Sequence, residues 1–423
     1  MSRLTRVHLT PLLLVVMAGL GGCQTEAQRQ AEQAVASYYV GDFRQSEAML
    51  APLARKTNED FVLNNARLGS AALAAYDIDA AEGALLDAYE VINSVGVNNG
   101  GRTLGATVVS ESIKVWKGEP FERAMVNFYL GLAYYMRHDY NNARACFENA
   151  LFKLRDYGKG DDKNDSYKEQ ESDFALAYLM LAKCHQRLGN DDAAAKNFQR
   201  AVALRPDLAR LADPERNDRS NILLVVDFGR GPEKVTSQDG ALAGFKPTPE
   251  EEGPIPMPVV FVDGQQVELH GADRAPVDLL GLAQDKRWES IDTIRAVKSA
   301  LGTGLIVAGA AYAEADERAN PVVALGLILS GLLLKASSQA DVRQWEMLPR
   351  TTFIIPLTLT AGKHDVTIDF PAAAGIRQEW HGLDVPGDGE ATYYFRMLRY
   401  AQGPYSWPPP PPNVSPMPVS KSP

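Results

Sequence analysis

The chain has 423 residues, which is more than one hydrophobic core usually serves, so two domains are expected. Its formal net charge is −10, whereas a nucleic-acid-binding protein needs a concentrated basic surface. We therefore expect no nucleic-acid partner.

The first residues have the parts of an export signal. A basic start is followed by an apolar run at residues 12–18, which is too short to remain in a bilayer as a spanning helix. The run ends in Leu20-Gly21-Gly22-Cys23, and this segment resembles the lipobox of bacterial lipoproteins.

The lipobox resemblance implies a signal peptide over residues 1–22 and a lipid on Cys23. Several acyl chains on one residue anchor a protein stably to a membrane. Gln24 differs from the aspartate that keeps similar lipoproteins at the inner membrane. The resemblance thus predicts a cell-envelope protein, lipid-anchored in the outer membrane and facing the periplasm.

Helical repeats follow the leader. The two clearest units read Asn127-x-x-Leu130-Gly131-x-x-Tyr134 with Ala143-x-x-x-Phe147-x-x-Ala150, and Tyr178-x-x-Leu181-Ala182-x-x-His185 with Ala194-x-x-x-Phe198-x-x-Ala201. These spacings resemble the tetratricopeptide-repeat (TPR) signature, although the first unit has Asn127 where the family prefers a large aromatic residue. Since no helix pair buries its apolar face alone, the units must stack. The resemblance implies an all-α TPR solenoid over residues 23–211.

In TPR proteins the inner helix of each pair lines a concave groove that binds partners. The family's groove positions fall on Met125, Phe128, Leu132, Tyr135, Lys183 and Arg187. A groove that is apolar at one end and basic at the other suits a peptide or helix with an acidic end. The residues leave equally open whether such a partner occupies the groove or whether the chain's own second domain or a loop does.

The pattern changes to strands in residues 217–400. Residues 221–227 are predicted to form a buried strand, because residues 222–226 are all apolar. Asp263-Gly264 predicts a tight hairpin turn, and residues 364–370 alternate between apolar and polar. The predicted fold class is therefore α+β, with the solenoid followed by a small antiparallel β-rich domain.

A glycine-rich helical hairpin insert is predicted within this domain, at residues 288–336. Its two apolar stretches, 291–313 and 321–334, are marginal as membrane spans. The hairpin covers the sheet or inserts into a membrane or partner, and the residues leave both readings open. Residues 401–423 are rich in proline and are predicted to be a disordered tail.

The segment from Ala340 to Pro349 reads A-D-x-R-x-W-x-x-L-P. It is similar to a motif of an uncharacterised family of bacterial envelope TPR lipoproteins, and that resemblance implies no activity. Trp345 and Leu348 are expected to fill a core, and Asp341 and Arg343 to pair or cap.

Motifs for chemistry are missing from the sequence. The six histidines have no metal-ligand spacing, and no C-x-x-C, nucleophile elbow or phosphate-binding loop occurs. We expect no catalytic residue, metal or cofactor. Cys146 and Cys184 form either one disulfide or two buried thiols.

Together these patterns favour a lipid-anchored, non-enzymatic TPR scaffold that binds other envelope proteins in assembly or maintenance. The alternative is a membrane-active or oligomerising assembly protein that acts through the glycine-rich hydrophobic hairpin. The oligomeric state is left open.

Overall fold

The computed structural model describes most of the chain that follows the leader. The described residues are 25–93, 115–154, 156–158, 168–170, 174–237, 242–269, 276–284, 341–373, 376–399 and 405–406. The predicted signal peptide, the lipidated Cys23, the hairpin insert and nearly all of the predicted tail lie outside them.

Four helix pairs are described in the N-terminal half. They are α1 (Glu26–Tyr39) with α2 (Phe43–Ala54), α3 (Phe61–Ala75) with α4 (Ile78–Asn93), α5 (Pro120–Met136) with α6 (Tyr140–Lys153), and α7 (Ala175–Arg187) with α8 (Asp191–Leu204). A short antiparallel strand pair, β1 (Asp156–Gly158) with β2 (Lys168–Gln170), lies between α6 and α7. The two clearest sequence repeats coincide with α5–α6 and α7–α8, which confirms the predicted helical repeats.

Turn chemistry ends one helix and starts the next. Gly41 and Gly189 have positive φ, and His138 has a φ of 63° in the equivalent turn. The side chain of Asp139 then accepts the backbone N–H of Asn142 and caps α6. Local sequence thus fixes where each pair reverses direction.

Small residues set the separation within two of the pairs. A Cβ atom built on Gly131 would lie 2.9 Å from Cε1 of Phe147, and one on Gly69 would lie 2.5 Å from Cγ of Leu85. Both neighbours are fully buried and have little room to move. The glycines therefore allow α5 to approach α6, and α3 to approach α4.

We predict opposite effects of alanine at two glycines of the second pair. Gly69→Ala is expected to lower the free energy of unfolding by about 1–3 kcal/mol, because the methyl group overlaps Leu85. Gly83→Ala is the matched control, since no atom lies within 4 Å of its added Cβ, and it is expected to stabilise α4 by about 0.5–1 kcal/mol. Urea unfolding measures both, and equal effects would contradict the packing argument.

A short connection leads from the helices to the strands. It contains a 3₁₀ turn at Pro206–Leu208 and α9 (Pro214–Arg219). The strands are β3 (Ile222–Phe228), β4 (Glu233–Ser237), β5 (Leu242–Lys246), β6 (Val259–Val262), β7 (Gln265–Gln266), β8 (Val277–Asp278), β9 (Thr351–Leu357), β10 (Gly362–Phe370), β11 (Ile376–Val385), β12 (Ala391–Met397) and β13 (Tyr405–Ser406), with the short helix α10 (Leu279–Ala283) after β8.

These strands form two main sheets and one separate pair. The first sheet has the order β12-β3-β9-β8 and the second β13-β11-β10-β6-β7, while β4 pairs with β5. The antiparallel expectation is wrong for two pairs, because β12 runs parallel to β3 and β13 runs parallel to β11. Parallel neighbours need a long crossover, and the chain between β3 and β12 supplies it by passing through the second sheet.

The four-stranded sheet is the middle layer of the molecule. Ile222, Leu224 and Val226 of β3 belong to the core shared with the second sheet. Leu223 and Val225, which point the other way, belong to the core shared with the helices. Burial on both faces explains why β3 is apolar at every position except Asp227.

The predicted hairpin at Asp263-Gly264 is confirmed. Strands β6 and β7 pair on either side of it, and both turn residues have positive φ, 51° and 77°. Within the part of the chain that the structure describes, no helix has the length and apolar character needed to cross a membrane.

Candidate functional site: the concave groove of the helical repeats

The inner helices α1, α3, α5 and α7 face the four-stranded sheet, so the groove between them holds the chain's own β-domain. Met125, Phe128 and Leu132 are fully buried. Phe128 contacts Phe147 and Phe174, both within the helical half. Three of the predicted groove residues are therefore parts of the core in this structure.

The other three predicted groove residues meet a single acidic side chain, Glu390, which directly precedes β12. Tyr135 donates its hydroxyl to Oε1 of Glu390 at 2.8 Å. Lys183 and Arg187 form ion pairs with Oε2 at 2.9 Å and 3.2 Å. The sequence predicted that a ligand with an acidic end would bind this basic end of the groove. In the structure the acidic group is Glu390 of the chain's own second domain.

The Glu390 cluster consists of Glu390, Tyr135, Lys183, Arg187 and Ser220, and all of these except the partly exposed Arg187 are shielded from water. Ser220 donates its hydroxyl to Oε2 at 3.0 Å, and Lys183 also donates to Asn217. Burial alone would raise the pKa of Glu390, but Lys183 and Arg187 hold it below the usual value. The carboxylate thus stays ionised and ties α5 and α7 to the start of β12.

A second buried carboxylate lies under the middle of the groove. Asp227 of β3 accepts hydroxyl hydrogen bonds from Tyr129 of α5, Tyr394 of β12 and Thr352 of β9. Burial raises its pKa, and Arg396 is the largest opposing influence. We call these five residues the Asp227 cluster.

Arg396 links this cluster to the first repeat. Its guanidinium donates to the hydroxyl of Tyr38 at 2.8 Å and to the carbonyl of Gly229 at 2.7 Å. Arg396 is almost completely buried, so these acceptors and the nearby Asp227 offset the cost of removing its charge from water. Hydrogen bonds and ion pairs therefore join the sheet to the inner helices α1, α5 and α7.

Residues 341–349, which we call the strap, lie along the same groove before β9 begins. Trp345 and Leu348 are almost completely buried, and Asp341 pairs with Arg343 at 2.7 Å, as the sequence predicted. Arg343 also pairs with Asp60, in front of α3, at 2.9 Å. The strap is therefore attached to the helical half by polar as well as apolar contacts.

Glu122 of α5 holds the centre of the strap. One carboxylate oxygen accepts the backbone N–H of Trp345 at 2.6 Å, and the other accepts that of Glu119 at 2.7 Å. Burial raises the pKa of Glu122 to about 7, although both N–H groups act to lower it. This carboxyl therefore changes charge near neutral pH.

We predict that Glu122 makes the protein less stable as the pH rises. Its folded-state pKa of about 7 lies above the ordinary 4.5, so the folded protein retains a proton that the unfolded chain releases. The resulting stability is complete below pH 4.5 and is lost as the pH rises through about 7. Glu122→Gln is expected to remove roughly 2–3 kcal/mol of this pH dependence between pH 5 and 8, measured by urea unfolding.

Glu252→Gln, at an exposed carboxylate, is the control for that measurement. It is expected to keep the pH dependence of the unsubstituted protein. A Glu122→Gln protein with the same dependence would contradict the assignment.

One section of the groove is open to solvent. A cleft of about 570 Å³ lies between α1 and α3, beside the strap. Its lining includes Gln28, Glu32, Asp60, Asn64, Arg67 and Arg343. The cleft therefore offers amide, carboxylate and guanidinium groups to a molecule that enters from solvent.

Sequence reasoning missed Glu390, Asp227 and Arg396 as groove residues. A detectable signal existed for two of them, because a charged residue inside an otherwise apolar strand needs buried partners. Asp227 directly follows five apolar residues of β3, and Arg396 shares a face of β12 with Tyr394. Glu390 follows a Gly-Asp-Gly turn and carries no comparable signal.

The two described cysteines are free thiols. Cys146 and Cys184 are both buried, and burial raises their pKa values above that of an ordinary thiol. Within the described ranges, no group of three histidine, cysteine or acidic side chains is placed to hold a metal ion.

Residues 175–208, which contain α7 and α8, match the tetratricopeptide repeat family. This segment is one of the described helix pairs, and the chain combines such helical repeats with β-sheets.

Two solved structures of MamA are similar to it. The first has 16% sequence identity, covers 44% of this chain and 76% of its own, and gives a TM-score of 0.30. The second has 13% identity, covers 46% of this chain and 83% of its own, and gives a TM-score of 0.29. No curated protein matches the sequence.

Proposed function

We propose that the protein is a lipid-anchored, non-enzymatic TPR scaffold that binds protein partners in the bacterial envelope. The open cleft between α1 and α3 carries the proposal, because it lies on the groove face of TPR helices and has room for a peptide segment. The partner site is thereby moved from the predicted residues on α5 and α7, which lie in the core or bond to Glu390, to the cleft between the first two helix pairs.

The position of the predicted anchor supports this placement. Thr25 caps α1 and lines the cleft, two residues after Cys23. Acyl chains on Cys23 would keep the first repeat near a lipid surface. A partner in the cleft would then be held beside the membrane.

The buried polar groups support a binding role over a catalytic one. A catalytic group must reach its substrate, whereas Glu390 and Asp227 are buried and bonded to neighbouring side chains. Their bonds join the helices to the sheet. We assign these clusters to holding the scaffold together.

The cleft is tested by site-specific photo-crosslinking in cells that make the full-length protein. A photoreactive amino acid at Glu32, which is exposed in the cleft, is expected to crosslink to a partner protein. The same group at Gln33 is the matched control, because Gln33 is exposed on α1 outside the cleft lining. Equal crosslinking at both positions, or none at Glu32, would contradict a partner site in the cleft.

The lipid anchor is tested by Cys23→Ser. We expect this variant to lose incorporation of labelled palmitate and to be released from membranes by carbonate, while the unsubstituted protein stays bound. A released variant supports anchoring by lipid alone. A variant that resists carbonate would instead favour membrane insertion by the apolar stretches at 291–334.

A further inference from the structure

The strap has the contacts of a bound peptide. It has no regular secondary structure over residues 341–345, and side chains of the helical half bond to its backbone. Trp116 donates its indole N–H to the carbonyl of Arg343 at 3.1 Å, and Tyr39 donates its hydroxyl to the carbonyl of Glu346. Backbone recognition of this kind holds an extended segment whatever its sequence.

Two ion pairs and one aromatic contact add sequence selectivity. Arg67 of α3 holds Glu346 through two hydrogen bonds, of 3.0 Å and 2.6 Å. Arg343 pairs with Asp60, and the ring of Trp345 packs edge-on against Tyr129 at 5.7 Å. The groove therefore contacts an arginine, an aromatic residue two positions later and an acidic residue directly after it.

The open cleft gives solvent access to both ion pairs. Asp60, Arg67 and Arg343 all line it, and Val342, between two of the bonded strap residues, is 65% exposed. A segment entering the cleft would meet Arg67 and Asp60 without crossing the core. The polar part of the strap is thus the part that an incoming segment reaches first.

We propose that the strap is a replaceable internal ligand, and that a partner's extended Arg-x-aromatic-acidic segment displaces it from Arg67, Asp60 and Glu122. The proposal rests on the scaffold function and specifies the chemistry of the partner. The incoming segment supplies a carboxylate that binds Arg67 and an aromatic ring that occupies the position of Trp345. Each contact that the strap loses is therefore replaced by an equivalent contact. Apparent affinity then depends on the fraction of molecules whose strap is released.

The test uses the mature full-length protein and a fluorescein-labelled peptide with the sequence of residues 339–350. Glu346→Ala weakens the resident strap and leaves the groove side chains intact. We expect it to bind the peptide about tenfold more tightly than the unsubstituted protein, as measured by fluorescence anisotropy. Adding Arg67→Ala to this variant is expected to abolish the gain. A peptide with lysine in place of its glutamate is expected not to bind.

A second strap variant keeps the test decisive if Glu346→Ala disturbs folding. Arg343→Ala removes the ion pair between the strap and Asp60 and leaves Asp60, Arg67 and Glu122 in place. It is expected to bind the peptide more tightly than the unsubstituted protein, and adding Asp60→Ala is expected to abolish this gain. Binding by both strap variants that is no tighter than that of the unsubstituted protein, or a gain that does not depend on Arg67, would overturn the proposal.

The crosslinking experiment at Glu32 separates this proposal from the scaffold function. If a partner crosslinks at Glu32 but no peptide displaces the strap, the scaffold function is supported and displacement of the strap is excluded. Loss of the Glu32 crosslink, with peptide binding retained, would contradict a partner site in the cleft and would leave displacement of the strap supported.

Discussion

Glu390→Ala is expected to lower the free energy of unfolding by about 3–5 kcal/mol, because it leaves the buried Lys183 and the partly exposed Arg187 without their carboxylate. The hydroxyls of Tyr135 and Ser220 lose an acceptor in the same variant. Urea unfolding followed by circular dichroism measures the change.

Asp388→Ala is the matched control, since Asp388 is an exposed carboxylate in the same loop. It is expected to change stability by less than about 0.5 kcal/mol. A second comparison separates charge from shape: Lys183→Met combined with Glu390→Gln is expected to be less harmful than the sum of the single changes. Additive effects would argue that the Glu390 cluster is not a coupled unit.

Asp227→Ala is the second large effect that we expect, with a loss of about 3–5 kcal/mol. The substitution leaves three hydroxyl groups without their shared acceptor, and it removes the negative charge of Asp227 that acts on Arg396. Thermal and urea unfolding of the full chain measure this loss.

Tyr394→Phe provides a graded control for Asp227→Ala. It removes one of the three hydroxyl donors and keeps the ring, so it is expected to cost about 1 kcal/mol. If the two substitutions had the same cost, Asp227 would be acting through a single hydrogen bond and not as the centre of a cluster.

The helical half was predictable because its sequence encodes local contacts. The spacing between Gly131 and Phe147 in the repeat places a small residue opposite a large one, and the structure has these two side by side. Likewise, Asp263-Gly264 determines a turn through two positive φ values. Such signals involve residues that are close in the chain.

The occupant of the groove was not predictable in the same way. The pair of Lys183 and Glu390 joins residues that are far apart in the chain, and Glu390 lies in a glycine-rich turn of the kind usually found at the surface. Linear spacing predicted a basic end of the groove at Lys183 and Arg187. It left open whether the acidic group came from a partner or from this chain.

The β-domain shows the same limit. Alternation in residues 364–370 predicted which face of β10 is buried, and Val366, Ile368 and Phe370 do lie in the core between the sheets. Alternation does not specify which strand pairs with which, so the parallel neighbours β3 and β12 could not be foreseen. The order of strands in a sheet depends on contacts between residues that are far apart in the chain.

The parallel pairing of β12 with β3 has a consequence for how the chain is completed. Synthesis proceeds from the N-terminus, so the helical half and β3 exist while β12 and Glu390 are still missing. Until they arrive, one edge of β3 has no neighbour, and the positive charges of Lys183 and Arg187 face water. Chains that end before residue 390 would therefore keep an unpaired strand edge and an unoccupied groove. These two features would distinguish them from complete chains.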